Sequence, residues 1–472
     1  MGLVILIPAV LCWAALARGG ARAALVWVWL PCVLLLPSYY ILRFSHMPPF
    51  HFADMAILPI GAALAAGHMR RWRLDWMDLW VFLYAFSFAL SEAMPDQLAN
   101  GDWKRFFTAS EATSRQLSAT LSNGEFAFFG AICSMVLPYM AGKLLMESAA
   151  PGQAPARRAA VRCMLFCLAL VTVLSLRDFL TGGSIWQNVF HHFFPDQVVE
   201  WPLQKRWGFG RITGPFAHAI LAGMIFLAGS VYSVWLLRVD RRWGRVRLMA
   251  GLPFLLRTVA ISAIVAGLLM TQSRGPWIGV GLAGLLVLLL RHLGVVRAAV
   301  LFTVIAGGLL AFAWGLGSRY TQGAQYQATS QEQASAIYRR QLLKSYTPVI
   351  RERPLFGWGF TDYPAANGQK SIDNEFLWLA VTQGLVGLSL FVVIATGSGL
   401  RLLLLASRPA SAEDRGLIYA HMAVLLGLFS TLATVYMGEQ VVLLFFFIIG
   451  WIQGMTPAPA RAGELAVPAP RF

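Results

Sequence analysis

Apolar runs close to the ~20 residues a helix needs to cross a bilayer recur along almost the whole chain, and they constrain its fold more than anything else. They are read at roughly 2–17, 23–42, 51–67, 76–94, 124–147, 160–180, 212–237, 253–271, 276–290, 296–316, 374–400, 416–437 and 440–454. A chain of 472 residues could hold several soluble domains, but 58% hydrophobic residues, 13% charged residues and a mean hydropathy of +0.62 exclude that class. The expected fold is an all-α polytopic integral membrane protein of about 12–13 transmembrane helices. Twelve is the alternative because the first and ninth runs are short and the last two could form one re-entrant hairpin. The chain divides into helices 1–10 over 1–316, a long extracytoplasmic loop over 317–373, C-terminal helices over 374–454 and a disordered cytoplasmic tail over 455–472.

Net charge is +16, which in a soluble protein would suggest nucleic acid. In a membrane protein Lys and Arg gather in cytoplasmic loops and face anionic headgroups, so the implied partner is the lipid bilayer and nucleic acid is set aside. Placing Met1 outside puts Arg18 and Arg22, Arg70 to Arg73, Lys143 to Arg162, Arg238 to Arg247, Arg291 and Arg297, and Arg401 to Arg415 inside. The short outside loops then carry only Arg43 and Arg274 as basic residues. That assignment leaves three long extracytoplasmic segments, 95–123, 181–211 and 317–373, and a cytoplasmic C-terminus. Within the last segment Ala334, Tyr338, Leu342 and Tyr346 share one helical face and Arg340 and Lys344 another, so Gln331 to Tyr346 reads as a basic amphipathic helix at the outer interface. The five cysteines all fall in apolar runs, giving no disulfide framework or zinc pattern. The first run reads as an anchor, not a cleavable signal, because Arg18 and Arg22 follow it.

Ionisable residues at span ends are costly to bury and therefore informative. Asp54, Glu92, Glu125, Arg177, Asp178, Arg211, Arg274, Asp373 and Glu439 all fall toward the outer face, which points to an extracytoplasmic site. Asp54, Glu92, Glu125 and Arg177 read as structural ends. Arg274 stands in a tight SRGP turn, with Gly275 permitting an unusual backbone and Pro276 expected at the first position of the next helix. From the turn alone, lipid phosphate and a bound substrate are equally good partners for it. Arg211 is expected to open the seventh span, with His218 one turn inside that helix. Asp373 reads either as a helix N-cap, with Asn374 in the first turn, or as a base facing water. His191, His192 and Asp196 suggest a metal only superficially, since adjacent histidines diverge on regular structure. No metal site and no cofactor is expected.

The order of a basic helix, PLFGWGF at Pro354 to Phe360, a short loop, DN-x-x-L from Asp373 and QGLVG from Gln383 resembles the O-antigen ligase and polymerase superfamily of bacterial envelope glycosyltransferases. RITGPFAHA at Arg211 to Ala219 and TQSRGPWIG at Thr271 to Gly279 fit the same likeness. Departures are Asp373 where the family usually has His, and Gln383 at a commonly acidic position. The resemblance implies an inverting, metal-independent transfer, at the inner membrane's periplasmic face, of an undecaprenyl-diphosphate-linked glycan to a saccharide acceptor. Arg211 and Arg274, with Arg339 fifteen residues before Pro354, would hold the diphosphate through guanidinium forks. Asp373 would orient or deprotonate the acceptor hydroxyl, Asn374 would position loop or acceptor, and His218 would contact substrate or supply basicity. Polymerisation of repeat units, with a chain-length regulator as partner, is favoured over ligation to lipid A core. A lipid-linked-sugar flippase is the alternative of another class, though its charges should lie at the midplane.

Overall fold

The computed structural model describes residues 2–42, 49–67, 74–93, 123–146, 154–197, 204–243, 254–320, 330–361, 363–366 and 371–456. The outside segment 95–123 except its last residue, the basic positions Arg43, Arg70, Arg71, Arg73, Arg245 and Arg247, the Glu439 side chain and the tail from 457 lie outside the described residues.

The chain is an all-α bundle, and each of the thirteen apolar runs contributes a helix. A short 3₁₀ stretch leads into α1 (Ile7–Ala24), a π turn (Leu25–Trp29) and α2 (Leu30–Leu35). Gly20, at φ 72° and ψ −176°, interrupts this line and separates the first two runs. There follow α3 (Phe52–Gly67), α4 (Trp76–Ala93), α5 (Asn123–Leu145), α6 (Ala154–Thr181) and the short α7 (Ile185–His191). A hairpin of β1 (Lys205–Arg206) and β2 (Phe209–Gly210) precedes α8 (Ala219–Trp243), α9 (Phe254–Met270), α10 (Arg274–Leu293) and α11 (Val295–Tyr320). The last elements are α12 (Gln331–Glu352), α13 (Glu375–Thr382), α14 (Gly384–Ala406), α15 (Ala412–Leu432) and α16 (Glu439–Gly454). Among the described residues seven helical stretches are long and apolar enough to cross a membrane, and four shorter apolar helices accompany them.

Three sequence expectations change. The second run leaves helix after Leu35, and residues 36–42 turn back to bridge Phe50 through Leu42. The seventh helix starts at Ala219, so Arg211 to His218 is non-helical and Arg211 does not open a span. The run over 374–400 is two helices, broken at Gln383 and at Gly384 with φ 65°. The last pair is also no shallow hairpin. α16 runs from the turn after α15 to the opposite end of the bundle, where the carbonyls of Ile452 and Gln453 accept from Arg401 at 3.0 and 2.6 Å.

With lipid around a bundle, small residues let helix backbones approach closely and gain dispersion contacts that larger side chains would block. Two such seams fix this bundle. Gly450 and Gly454 of α16 lie on α5, and a Cβ there would stand 1.9 Å from Tyr139 O and 2.3 Å from Lys143 O. Gly275 and Gly279, also four apart, seat α10 on α15: a Cβ at Gly279 would meet Gly427 O at 2.8 Å, and one at Gly275 would meet Thr434 Oγ1 at 2.9 Å. The second seam carries the first residue of α10, Arg274, to the end of α15.

Candidate active site

Four segments meet at the end of the bundle away from Lys143. The first is 204–218. Its hairpin turn is Trp207–Gly208, both left-handed (φ 55° and 84°), with Arg206 opposite Phe209. The chain then runs beside the α9–α10 turn, where Ile212 N donates to Met270 O at 3.2 Å. Arg211 is buried there and hydrogen-bonds Thr271 O (3.1 Å), Ser273 Oγ (2.9 Å) and Gln204 Oε1 (2.5 Å). Arg206 Nη1 donates to Gln272 O at 2.7 Å. The two motifs RITGPFAHA and TQSRGPWIG are thus one unit, sewn together by two arginines.

α10 starts earlier than its proline suggests. Ser273 is the N-cap and Arg274 the first helical residue, leaving Pro276 at the third position, where its missing N–H is still harmless. Arg274 is exposed. Its neighbour Ser273 touches Arg211, and its neighbour Gly275 packs on Thr434, whose carbonyl lies 3.5 Å from Arg339 Nη2. The backbone of Arg274 therefore lies between the segments that hold the other two predicted arginines.

The third segment is α12 with the residues before α13. The apolar face predicted for α12 is real but does not lie free on an interface: Leu342 and Tyr346 are buried against Ile372, Leu377 and Val381. The helix also continues through Pro348 to Glu352. Tyr338 OH donates to Ser371 O, and Ser371 Oγ donates to Asp373 Oδ1 at 2.7 Å. Asp373 is not the N-cap. Asn374 takes that role, accepting from Leu377 N at 3.0 Å, while its amide N–H donates to Ala433 O at 3.1 Å. The Asp373 carboxylate is half-buried and uncommitted to capping.

The fourth segment, the α15–α16 turn over 433–438, ties the others together. Ala433 O accepts from Asn374, Thr434 O lies against Arg339, and Met437 N donates to buried Glu375 at 2.5 Å. Just beyond it, Gln440 Nε2 reaches both Leu36 O and Pro215 O at 3.1 Å. Sequence reading missed Glu375, Gln440 and Arg206. The only signals were a carboxylate directly after Asp373-Asn374, an amide at the start of an apolar run, and an arginine before Trp-Gly in an unexplained loop.

Electrostatics confirm the proximity. Burial and then the neighbouring Arg206 lower Arg211 to about 10, so it stays charged at neutral pH. Burial also lowers Arg339, with Arg206 acting in the same direction and Asp373 opposing. His218 is pushed down to about 4 by burial and then by Arg211, against Asp373. Arg206, Arg211, Arg339, His218 and Asp373 thus share one field. His218 lies just before α8, not inside it, and its Nδ1 accepts from Ile220 N at 3.2 Å. That bond leaves Nε2 carrying the hydrogen, so the neutral ring is a donor at Nε2. Among the described residues no group of three or more His, Cys, Asp and Glu is arranged to hold a metal, and His192 instead meets Asn188 O.

The glycines of PLFGWGF and QGLVG serve backbone geometry. Trp358 N and Gly359 N donate to Val381 O and Thr382 O (2.9 and 2.8 Å), capping α13, while Leu385 N and Val386 N donate to Pro354 O and Leu355 O (2.7 and 3.1 Å). Gly384 is left-handed and a Cβ on it would stand 2.3 Å from Leu355 O. Glu92, at the end of α4, accepts from Phe360 N and from Thr361 N and Oγ1, so it is a structural latch on this turn. Asp54 is likewise local, accepting from His51 N and Nδ1 at 2.9 Å.

Residues 259–392 match the family described as O-antigen ligase. The matched stretch runs from α9 into α14 and contains Arg274, Arg339, Asp373 and Asn374, but neither Arg211 nor His218. The match covers less than a third of this multi-pass membrane chain and supports the O-antigen ligase and polymerase superfamily. No curated protein matches the chain.

Proposed function

We propose, from that match, that the chain is a membrane glycosyltransferase which moves a glycan from polyprenyl diphosphate to an acceptor sugar, and that it polymerises repeat units. The observation that carries this reading is the meeting of Arg211, Arg274 and Arg339 beside Asp373 at one end of the bundle. Three guanidinium groups, those of Arg211 and Arg339 partly desolvated, suit a diphosphate because each offers a planar fork to phosphate oxygens. The acceptor hydroxyl oxygen attacks the anomeric carbon, the carbon–oxygen bond to the diphosphate breaks, and the anomeric configuration inverts. Negative charge developing on the leaving diphosphate is met by the arginines, without a metal ion. Asp373 takes the acceptor proton. Asn374, by capping α13 and holding Ala433, fixes the carboxylate's position. His218 offers Nε2–H to a substrate oxygen. In this orientation the site faces the periplasm and the C-terminus the cytoplasm, as the basic loops imply.

The test is transfer between purified polyprenyl-diphosphate-linked repeat units in detergent with chelator, comparing wild type, Asp373→Asn and Asp373→His. General base catalysis predicts a loss of roughly 10² to 10⁴ for Asn, and recovery with His. An Asn variant as active as wild type removes Asp373 from the chemistry. Transfer to lipid A core in place of chain growth makes the chain a ligase. Movement of lipid-linked sugar across liposomes without any transfer makes it a transporter.

A further inference from the structure

Among the described residues only two that are not glycine have left-handed backbone, Trp207 (φ 55°) and Gln272 (φ 50°). Arg206 links them: it precedes Trp207 in the chain and donates to Gln272 O. Two unfavourable backbone conformations flanking one arginine suggest a local arrangement held for a purpose other than stability. The hairpin makes the point sharper. A two-residue turn with both central residues left-handed favours Asn, Asp or Gly at the first position, and tryptophan is poorly suited there. Yet the indole is not consumed by packing: it is 59% exposed, and its one ring neighbour among the described residues is Trp277 in the first turn of α10, with centroids 6.1 Å apart and planes tilted by 31°. Gln272 is 3% exposed and its side-chain carbonyl has no hydrogen-bond partner. A buried acceptor left unsatisfied is costly unless something else satisfies it.

We infer that Trp207, Trp277 and Gln272 form a subsite for the first pyranose ring of the donor, the sugar joined directly to the diphosphate. This rests on the diphosphate reading above. A pyranose has a flat face of C–H groups and a rim of hydroxyls. The exposed indole offers a matching apolar plane, and an unfilled amide carbonyl offers an acceptor for one hydroxyl. Position agrees: Arg206 and Arg211 on the same hairpin segment and Arg274, three residues before Trp277, bracket the platform, so a ring stacked there keeps its anomeric phosphate among the arginines. The hairpin is thus a recognition element and not merely a turn between α7 and α8.

The experiment measures binding of two probes to the purified full-length chain in detergent: undecaprenyl diphosphate, and undecaprenyl diphosphate carrying a single glucose. Trp207→Asn is the informative variant because Asn suits the left-handed turn position and keeps the hairpin while deleting the ring. The expected result is that wild type prefers the glucose-bearing lipid, that Trp207→Asn weakens that lipid by about tenfold and leaves the bare one unchanged, and that Trp207→Phe retains most of the preference. Equal weakening of both lipids would make the indole an interfacial anchor and overturn the subsite alone. So would an unaltered preference in Trp207→Asn, or none in wild type. Failure of wild type to hold either lipid would overturn the diphosphate reading, and the subsite with it.

Discussion

Several buried cations at the two ends of the bundle meet different kinds of partner. At one end Lys143 lies 2.8 Å from Asp75 and 2.7 Å from Asp78, Arg157 lies 2.7 Å from Asp414, and Arg158 pairs with Glu413. Each of these charges meets a carboxylate supplied by a neighbouring helix. At the other end Arg211 is as buried as Arg157, yet its hydrogen bonds go to a carbonyl, an amide and a hydroxyl, all neutral. Among the described residues Arg339 hydrogen-bonds the Thr434 carbonyl. Neutral dipoles orient a guanidinium without cancelling its charge. One end therefore uses cations to lock helices together, and the other keeps positive potential available for an anion.

Breaking the locks should cost most. Asp414→Asn leaves Arg157 buried without its counter-charge, and loss of one partner from a buried pair typically destabilises by about 3–5 kcal/mol. Thermal unfolding in detergent should show it, with activity per folded molecule unchanged; a variant that is stable but inactive would erase the distinction between the ends. At the other end Arg274→Lys preserves charge and loses the fork. Activity should fall by roughly 10² to 10³ with the unfolding midpoint in place. Full activity would make Arg274 a lipid contact.

A smaller, pH-dependent effect should come from His218. Its folded pKa of about 4 lies below the usual 6.5, so the unfolded chain binds the extra proton first. Stability is therefore complete above about pH 6.5 and declines as pH falls toward 4, with about 2 kcal/mol lost by pH 5 since one unit is worth ~1.4 kcal/mol. His218→Gln should flatten that slope in unfolding measured between pH 5 and 7.5. An unchanged slope would mean the ring is wetter than its setting between Arg211 and α8 suggests.

What the sequence made legible was what depends on composition over many residues. Thirteen apolar runs located the helices because transfer into hydrocarbon is summed over each run. Arg274 and Asp373 were legible because a charge at a span end is conspicuous. What stayed hidden depends on single backbone angles and on contacts between distant segments. Nothing in the 374–400 run announces a break except Gly384, whose left-handed turn is needed only because Leu355 O lies against it. Arg206 was hidden because a hairpin with two-residue strands has no periodicity to read. Asp373 was a reasonable cap by residue type. The cap moved one residue because Asn374 satisfies Leu377 N and Ala433 O at once, whereas a carboxylate has no hydrogen to donate to a carbonyl.

That double use of Asn374 gives the finest test of how the arginine end is assembled. Asn374→Ala removes the cap and should destabilise by about 1 kcal/mol. Asn374→Ser keeps a capping oxygen but is too short to keep the amide's reach to Ala433 O, so it separates capping from docking of the segment onto the α15–α16 turn. Stability should stay within about 0.5 kcal/mol of wild type. Activity should nevertheless fall roughly tenfold, because a carboxylate held an ångström out of place loses much of the advantage of fixed geometry. The effect should appear in kcat, since the arginines proposed to hold the donor are untouched. A Ser variant with wild-type kcat would show that the Tyr338–Ser371–Asp373 chain alone positions the carboxylate, and Ser371→Ala would then become the decisive substitution.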